Sequence, residues 1–286
     1  MNKIKSNRTI SFIVILIAYI LATIAGVVTY KSLNLSLEWN LFIADSIATV
    51  VIFVFSIVFK NSSIYDPYWS VQPMVILAFF ACKFSFNLTK VLILSLIMLW
   101  GIRLTLNWAY TFKNLNHQDW RYVNIKNACP KIYPILNFVG IHYIPTVIVY
   151  LCTLPAVYVL GLKNPKINII TVVGLFISII GIVLELVSDI QMQKYRKEKG
   201  TKFIRVGLWK YSRHPNYLGE ILMWWGIAIF AASTITNNWY IQLIGAFINT
   251  LLFLFVSIPM AERRQSKKEG FEEYKKQTRY LLPIKK

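Results

Sequence analysis

Long apolar runs separated by short polar segments dominate the chain. Thr9 to Tyr30 holds twenty-two residues without a charged side chain, and Ile221 to Met260 holds forty. About twenty apolar residues cross a bilayer as one helix. The first run therefore predicts one membrane span, and the second predicts two spans joined at the polar turn STITNN.

The other runs complete a prediction of an all-α, polytopic transmembrane bundle. The predicted spans are residues 9–30, 41–59, 71–87, 88–112, 134–162 and 167–190, with two more within 221–260. The third is the least regular, because only Pro67 to Cys82 is free of charge, and it fits a tilted or re-entrant helix. We expect about seven to eight spans, with eight as the direct count.

The basic residues are distributed unevenly along this pattern. The chain carries thirty-one Lys and Arg and a formal net charge of +19. With a cytoplasmic N-terminus, twenty-five of them fall in segments on the inner side and five in outer loops, as the positive-inside rule requires. Both termini are therefore expected in the cytoplasm. A basic balance in a polytopic chain reflects its cytoplasmic loops, so membrane lipids are expected as partners and nucleic acid is not.

Several common sites are excluded by spacing. Cys82, Cys129 and Cys152 show no CxxC or Cys/His spacing, so neither a metal site nor a disulfide framework is predicted. The chain contains neither GxGxxG after a strand nor GxxxxGK[ST]. Any nucleotide must therefore be held by helix ends and loops.

Charged residues at membrane depth are costly and mark candidate sites. One stripe has spacings of 4, 4 and 3, which places its members on a single helix face; it consists of Glu185, Asp189, Gln193 and Arg196. The stripe is either a solvated helix end or a wall that orders a polar ligand. Arg103, in WGIRLTLNW, lies mid-span and is expected to face inward, toward a carboxylate or a ligand phosphate.

The segment YSRHPNYLGE predicts a helix start prepared for phosphate. Pro215 suits the first helical position, so the free amides of that turn lie beside Arg213 and His214. Elsewhere, YDPYWS places Asp66 between Tyr65 and Tyr68. A desolvated Asp66 would stay protonated and could donate to a substrate carbonyl; the alternative is an Asp-Pro turn among interfacial aromatic residues.

These motifs resemble the steroid 5-alpha-reductase C-terminal domain family. The match rests on GLWKYSRHPNYLGEILMWWG, SDIQMQ and LLP, and SSIYDPYWSVQP, WGIRLTLNW and DWRY are typical of its bacterial branch. The resemblance implies residues 1–60 as a transmembrane hairpin and 61–286 as the catalytic membrane domain. It implies cofactor contacts at Arg103, Asp189, Gln193, Arg196, Tyr211, Arg213, His214, Asn216, Tyr217 and Glu220. The carbonyl-polarising Glu and Tyr of the family fall on Asp66 and Trp100.

The resemblance implies an NADPH-dependent reductase, and the likeness to the bacterial branch implies the bacterial inner membrane as its location. The expected substrate is a lipophilic steroid- or isoprenoid-like molecule from the bilayer, whose carbon–carbon double bond is conjugated to a ketone. Asp66, with Tyr68 or Tyr65, is the expected proton donor, and the 2'-phosphate is expected at Arg196, Lys197, Lys199 or Lys202. The alternatives are an S-adenosylmethionine-dependent methyltransferase of a lipid or prenylated thiol, and a transporter or scaffold. The basic C-terminal tail either touches anionic lipid or folds over the nucleotide.

Overall fold

Helices form the regular structure of this protein. A computed structural model describes residues 2–85, 87–199, 203–235 and 237–283, and these ranges contain no β-strand, only one isolated bridge between Ser212 and Arg279. The α-helices are α1 (Asn2–Ser6), α2 (Arg8–Ser32), α3 (Leu37–Val58), α4 (Tyr68–Ala81), α5 (Leu88–Thr111), α6 (Trp120–Ala128), α7 (Tyr133–Ile135), α8 (Ile144–Gly161), α9 (Ile169–Lys199), α10 (Pro215–Thr234), α11 (Ile244–Leu252), α12 (Ile258–Gln265) and α13 (Phe271–Gln277). Tight 3₁₀ turns cover Ser62–Tyr65, Gly207–Lys210 and Trp239–Leu243, and π-helical segments cover Leu136–Tyr143 and Phe253–Ser257.

Seven helical segments of the described chain are long and apolar enough to cross a membrane. They are Arg8–Ser32, Leu37–Val58, Leu88–Thr111, Tyr133–Gly161, Ile169–Glu198, Pro215–Thr234 and Trp239–Gln265. The prediction of a polytopic all-α membrane protein is confirmed.

The predicted third span accounts for the difference between eight and seven. Its helix, α4, has 14 residues. At about 1.5 Å per residue it is roughly 21 Å long, whereas the hydrocarbon core is about 30 Å thick. An odd number of crossings places the termini on opposite sides and an even number places them on the same side. Both termini can lie in the cytoplasm only if α4 also crosses the membrane. Their cytoplasmic location therefore stays a prediction.

The chain divides into two compact units. The first comprises Met1–Phe79 and Gly101–Tyr150, and the second comprises Phe80–Trp100 and Leu151–Lys286. In the first unit α2 packs along α3, and the buried rings of Tyr65 and Tyr68 join their core. In the second unit α9 packs along α10. The sequence suggested another division, between a hairpin of residues 1–60 and a catalytic domain of residues 61–286. That division stays a prediction.

Small residues bring α9 and α10 into close contact. A Cβ atom added to Gly181 would lie 2.6 Å from the backbone oxygen of Gly219 and 2.6 Å from the backbone nitrogen of Met223. Ser178, one turn away, donates a hydrogen bond to the Met223 carbonyl oxygen at 3.1 Å. Helices in lipid associate through this close packing, because apolar side chains gain little by leaving the lipid tails. The contact fixes α10 against α9.

Gly181→Ala is expected to destabilise the second unit. The new methyl group would overlap two backbone atoms, which cannot rotate away, so the free energy of unfolding should fall by about 1–3 kcal/mol. The measurement is the unfolding midpoint of purified protein in detergent. Gly161→Ala is the matched control, since no atom lies within 4 Å of its added Cβ. Equal effects of the two changes would contradict this account of the packing.

Candidate functional site

The segment YSRHPNYLGE forms the predicted helix start. Pro215 is the first residue of α10 and His214 is its N-cap. Arg213 and His214 precede the helix and are both buried, with 8% and 6% of their surface exposed. The structure therefore brings the predicted pair together at the end of α10, but inside the protein.

Glu262 on α12 pairs with both residues. Arg213 Nε donates to Glu262 Oε1 at 2.6 Å, and His214 Nε2 lies 3.2 Å from the same oxygen. Arg213 Nη1 donates to the carbonyl oxygens of Lys275 and Thr278. Burial lowers the pKa of His214, while its hydrogen bond to Glu262 acts in the opposite direction. The donors expected to receive phosphate are thus bound to Glu262 and to the C-terminal segment.

The C-terminal segment folds over the start of α10. Ser212 Oγ donates to the Leu281 carbonyl oxygen at 2.6 Å, and the backbone nitrogen of Arg213 donates to the Arg279 carbonyl oxygen at 3.0 Å. The Arg213 guanidinium lies 5.4 Å from the centre of the Tyr280 ring. A groove of about 510 Å³ is lined by Arg213, Lys275 and residues 278–282. The tail is therefore a folded cover of this helix start.

The predicted polar stripe lies on one continuous helix. α9 carries Glu185, Asp189, Gln193 and Arg196. The 3₁₀ turn that precedes YSRHPNYLGE docks on the same helix, because the Leu208 backbone nitrogen donates to Gln191 Oε1 at 2.9 Å and Trp209 Nε1 donates to the Ser188 carbonyl oxygen at 3.2 Å. The stripe and the helix start thus belong to the same unit.

A cluster of cations lies at the ends of α9 and α12. Burial, followed by the positive charges of Arg264 and Arg196, lowers the pKa of the Lys268 amine. Like charges held this close repel one another, so a phosphate bound among them would be stabilised. Arg196 was predicted from the sequence. Arg264 and Lys268 were missed because Arg264 lies on α12 and Lys268 just after it, far from α9 in the sequence.

The other candidates for the 2'-phosphate are less informative. Lys197 lies beside Arg196 on α9. Lys202 and the side chain of Lys199 lie outside the described residues.

Two indole groups hold the carboxylate of Glu220. Trp100 Nε1 donates to Oε2 at 2.9 Å, and Trp224 Nε1 donates to Oε1 at 2.8 Å. The two indole rings contact each other edge to face, with centres 4.8 Å apart. Both oxygens of Glu220 therefore accept hydrogen bonds from protein. Trp100, which falls on the family's Tyr position, acts as a donor to Glu220.

The other predicted cofactor residues near the helix start differ in exposure. Tyr217 stacks against His214, with ring centres 5.4 Å apart and planes 5° from parallel. Asn216 is partly buried, and Tyr211 is 43% exposed. Nine of the ten predicted cofactor residues lie in the second unit. Arg103, on α5, lies in the first.

The three predicted catalytic side chains contact different partners in the first unit. Asp66 Oδ1 accepts a hydrogen bond from the Tyr122 hydroxyl at 2.7 Å. Burial raises the pKa of Asp66 to about 6, although the charge of a nearby arginine acts against this. The Tyr65 hydroxyl lies 2.9 Å from Thr146 Oγ1. Tyr68 lines a cavity among α2, α3 and α4, whereas Asp66 and Tyr65 are not among the residues that line it.

A cavity of about 80 Å³ lies among α2, α3 and α4. Asp45, from α3, forms its polar end: Oδ1 accepts from the Tyr68 hydroxyl at 2.7 Å, and Oδ2 accepts from Gln72 Nε2 at 2.7 Å. The rest of the lining is mainly apolar and includes Ala22, Val27, Leu41, Ala48, Val75, Ile76 and Phe79. Sequence reasoning missed Asp45 and Gln72. The rule that identified Arg103, a charge inside a predicted span, applies equally to Asp45.

Asp66→Asn is expected to flatten the pH dependence of stability. Because the folded pKa of Asp66 is about 6 and the unfolded value is about 3.9, its contribution is fully present below about pH 4 and lost as pH rises through 6. The amide does not titrate but can still accept from Tyr122. Between about pH 5 and 7.5, the detergent unfolding midpoint of the wild type should therefore fall more than that of the variant. Equal falls would show that Asp66 ionises normally.

Comparison with known proteins gives a family and partial relatives. The profile of the family described as "Protein of unknown function (DUF1295)" matches residues 52–278. An uncharacterized protein of Schizosaccharomyces pombe is 26% identical over 222 residues, which cover 66% of this chain and 64% of that protein. No solved structure matches at a significant level of similarity.

Two further relatives carry the name 3-oxo-5-alpha-steroid 4-dehydrogenase 1. The Mus musculus protein is 31% identical over 113 residues, which cover 39% of this chain and 41% of that protein. The Homo sapiens protein is 30% identical over 114 residues, which cover 39% and 40%. The chain thus spans less than two thirds of the length of each of these relatives. Because the family match covers most of this chain, the protein belongs to the DUF1295 family, which is the steroid 5-alpha-reductase-like family.

Proposed function

We propose that this protein is a membrane-embedded, NADPH-dependent reductase of a carbon–carbon double bond conjugated to a ketone. The substrate is a lipophilic, steroid- or isoprenoid-like molecule taken from the bilayer. Two relatives named as steroid 4-dehydrogenases support the reaction class. The structural observation that carries the proposal is the pair of Tyr68 and Asp45 at the polar end of an otherwise apolar cavity.

Tyr68 is the proton donor in this proposal. Hydride addition to the β carbon of an enone moves negative charge onto the carbonyl oxygen, so a donor must face that oxygen. The Tyr68 hydroxyl donates to Asp45 Oδ1 at 2.7 Å, and in this proposal a bound ketone takes the place of Asp45 as the acceptor of that proton. Tyr65 stacks on the Tyr68 ring with centres 5.3 Å apart. Asp66, the donor expected from the sequence, contacts Tyr122 and is absent from the cavity lining. The donor role therefore passes to Tyr68.

The cavity suits a flat lipophile. Its lining is mainly apolar and its Asp45–Tyr68 end is polar, so it suits an apolar group that ends in a polar one. Two of its walls, α2 and α3, are candidate membrane spans. An apolar substrate dissolved in the bilayer can therefore reach it without crossing water.

NADPH, when bound, supplies the hydride. Its phosphate groups fit the cluster of Arg196, Arg264 and Lys268, since guanidinium and ammonium groups are the usual partners of phosphate. In this proposal the cluster holds the 2'-phosphate, the group that distinguishes NADPH from NADH. Arg213 and His214 keep the C-terminal segment folded through Glu262 and shape the surface beside it.

The proposal also fixes a side of the membrane. The cofactor is cytoplasmic, so the basic ends of α9 and α12 face the cytoplasm. In a bacterial cell this is the inner membrane, in agreement with the positive-inside distribution.

NADPH is expected to raise the unfolding temperature of the purified protein in detergent more than NADH does. Arg264→Ala should weaken NADPH binding about tenfold and reduce the preference over NADH, because it removes one charge-assisted contact to phosphate. Arg263→Ala changes the net charge equally at the neighbouring position and should leave the preference unchanged. Stabilisation by S-adenosylmethionine alone would contradict the proposal and favour methyl transfer.

Tyr68→Phe is expected to lower kcat by about 100-fold or more and to leave NADPH binding unchanged, because it removes the general acid. The assay follows NADPH oxidation with a panel of 3-oxo-4-ene steroids and long-chain cyclohexenones. Tyr65→Phe, the matched loss of a buried hydroxyl, should cost less than about tenfold. Asp66→Asn should leave turnover within about threefold. If Asp66→Asn lowers kcat as much as Tyr68→Phe does, Asp66 is the proton donor.

A further inference from the structure

We infer that the cavity of the first unit takes a lipophile with a hydrogen-bond donor beside its carbonyl group, and that Gln72 recognises this donor. The ligand class is an α-hydroxy ketone on a long apolar body. That the ligand carries a carbonyl group rests on the proposed function. That it carries a hydrogen-bond donor rests on Gln72 alone.

Gln72 has a buried oxygen that the protein does not satisfy. Its side chain lines the cavity, and the residue is 5% exposed. Gln72 Oε1 has no hydrogen-bond partner in the part of the chain that the structure describes. Buried amide oxygens are nearly always paired, because an unpaired one costs about 1–3 kcal/mol. A donor on a bound molecule would remove that cost.

The orientation of the amide follows from Asp45. Gln72 Nε2 donates to Asp45 Oδ2 at 2.7 Å, and a flipped amide would bring two acceptor oxygens together instead. The hydroxyls of Tyr19 and Tyr68 also line the cavity, but they donate to the Ile64 carbonyl oxygen and to Asp45. Gln72 Oε1 is therefore held as an acceptor, and neither of these hydroxyls satisfies it.

The positions of Tyr68 and Gln72 restrict the ligand. The two side chains lie one turn apart on the same face of α4. They bind the two oxygens of a single carboxyl group, that of Asp45. The Tyr68 hydroxyl and the Gln72 amide are consequently neighbours. An α-hydroxy ketone carries its acceptor and donor on adjacent carbon atoms, so its carbonyl can replace Asp45 as the acceptor of the Tyr68 hydroxyl while its hydroxyl donates to Gln72 Oε1.

The test compares two probes on protein in lipid nanodiscs without cofactor. One probe is a cyclohexenone with a decyl chain and a hydroxyl on the saturated carbon beside the carbonyl; the other lacks the hydroxyl. Wild-type protein should bind the hydroxyl probe about fivefold more tightly, measured from the concentration dependence of thermal stabilisation. In Gln72→Met, which keeps the length but loses the acceptor, the preference should reverse, because burying an unpaired hydroxyl is unfavourable. Comparing the two proteins cancels the partitioning of the probes into lipid.

Val75→Met is the matched control, since Val75 lines the same cavity but carries no polar atom. It should keep the wild-type preference. A wild-type protein without the preference, or a Gln72→Met protein that retains it, would overturn the inference. If Gln72→Met fails to fold, the wild-type ratio, corrected for the measured partitioning of each probe into protein-free nanodiscs, decides the matter. A preference without NADPH oxidation would contradict only the proposed function, and turnover of both probes with equal affinity would contradict only this inference.

Discussion

A polar side chain at membrane depth must find its hydrogen-bond partners inside the protein, because hydrocarbon offers none. Asp45 on α3 meets this constraint because Tyr68 and Gln72 each donate a hydrogen bond to one of its two carboxyl oxygens. The same contacts create the polar end of the cavity and fix the Tyr68 hydroxyl there. In the second unit, Glu220 meets the constraint through the indole groups of Trp100 and Trp224. Satisfying buried polar groups therefore also shapes the candidate site.

In the second unit, cationic side chains either stabilise the fold or are positioned to attract an anion. Arg213 is buried and bound to Glu262 and to carbonyl oxygens of the C-terminal segment, so its charge stabilises the fold of that segment. The positive charges of Arg264 and Arg196 act on the Lys268 amine, and the mutual repulsion of like charges favours a bound anion. All of these side chains are cationic, so the difference between them lies in the neighbouring groups that act on them. The close packing of α9 on α10 at Gly181 supports both arrangements by fixing the helix ends.

Much of the local structure could be predicted from the sequence. Pro215 begins α10 as its position in YSRHPNYLGE predicts, and α9 carries the whole polar stripe on one helix. The predicted third span, residues 71–87, corresponds to α4, which ends at Ala81, because apolar composition alone does not show where a helix ends. The sequence offered Asp66 together with Tyr68 or Tyr65 as the donor, because neither the direction of a side chain nor the presence of a cavity is visible in a linear motif. Asp45 was missed although a charge within an apolar run is a readable pattern.

The sequence by itself determined the membrane class, most of the spans, the start of α10 and the family. These depend on composition and on spacing over a few residues, which fix a helix and its faces. Only the tertiary structure decided which polar groups meet. Asp45 and Gln72 are 27 residues apart, and Trp100 and Glu220 are 120 apart. Helical periodicity places a residue on a face, but the packing of helices decides which other face it meets. The cavity, its donor and its unsatisfied acceptor follow from that packing.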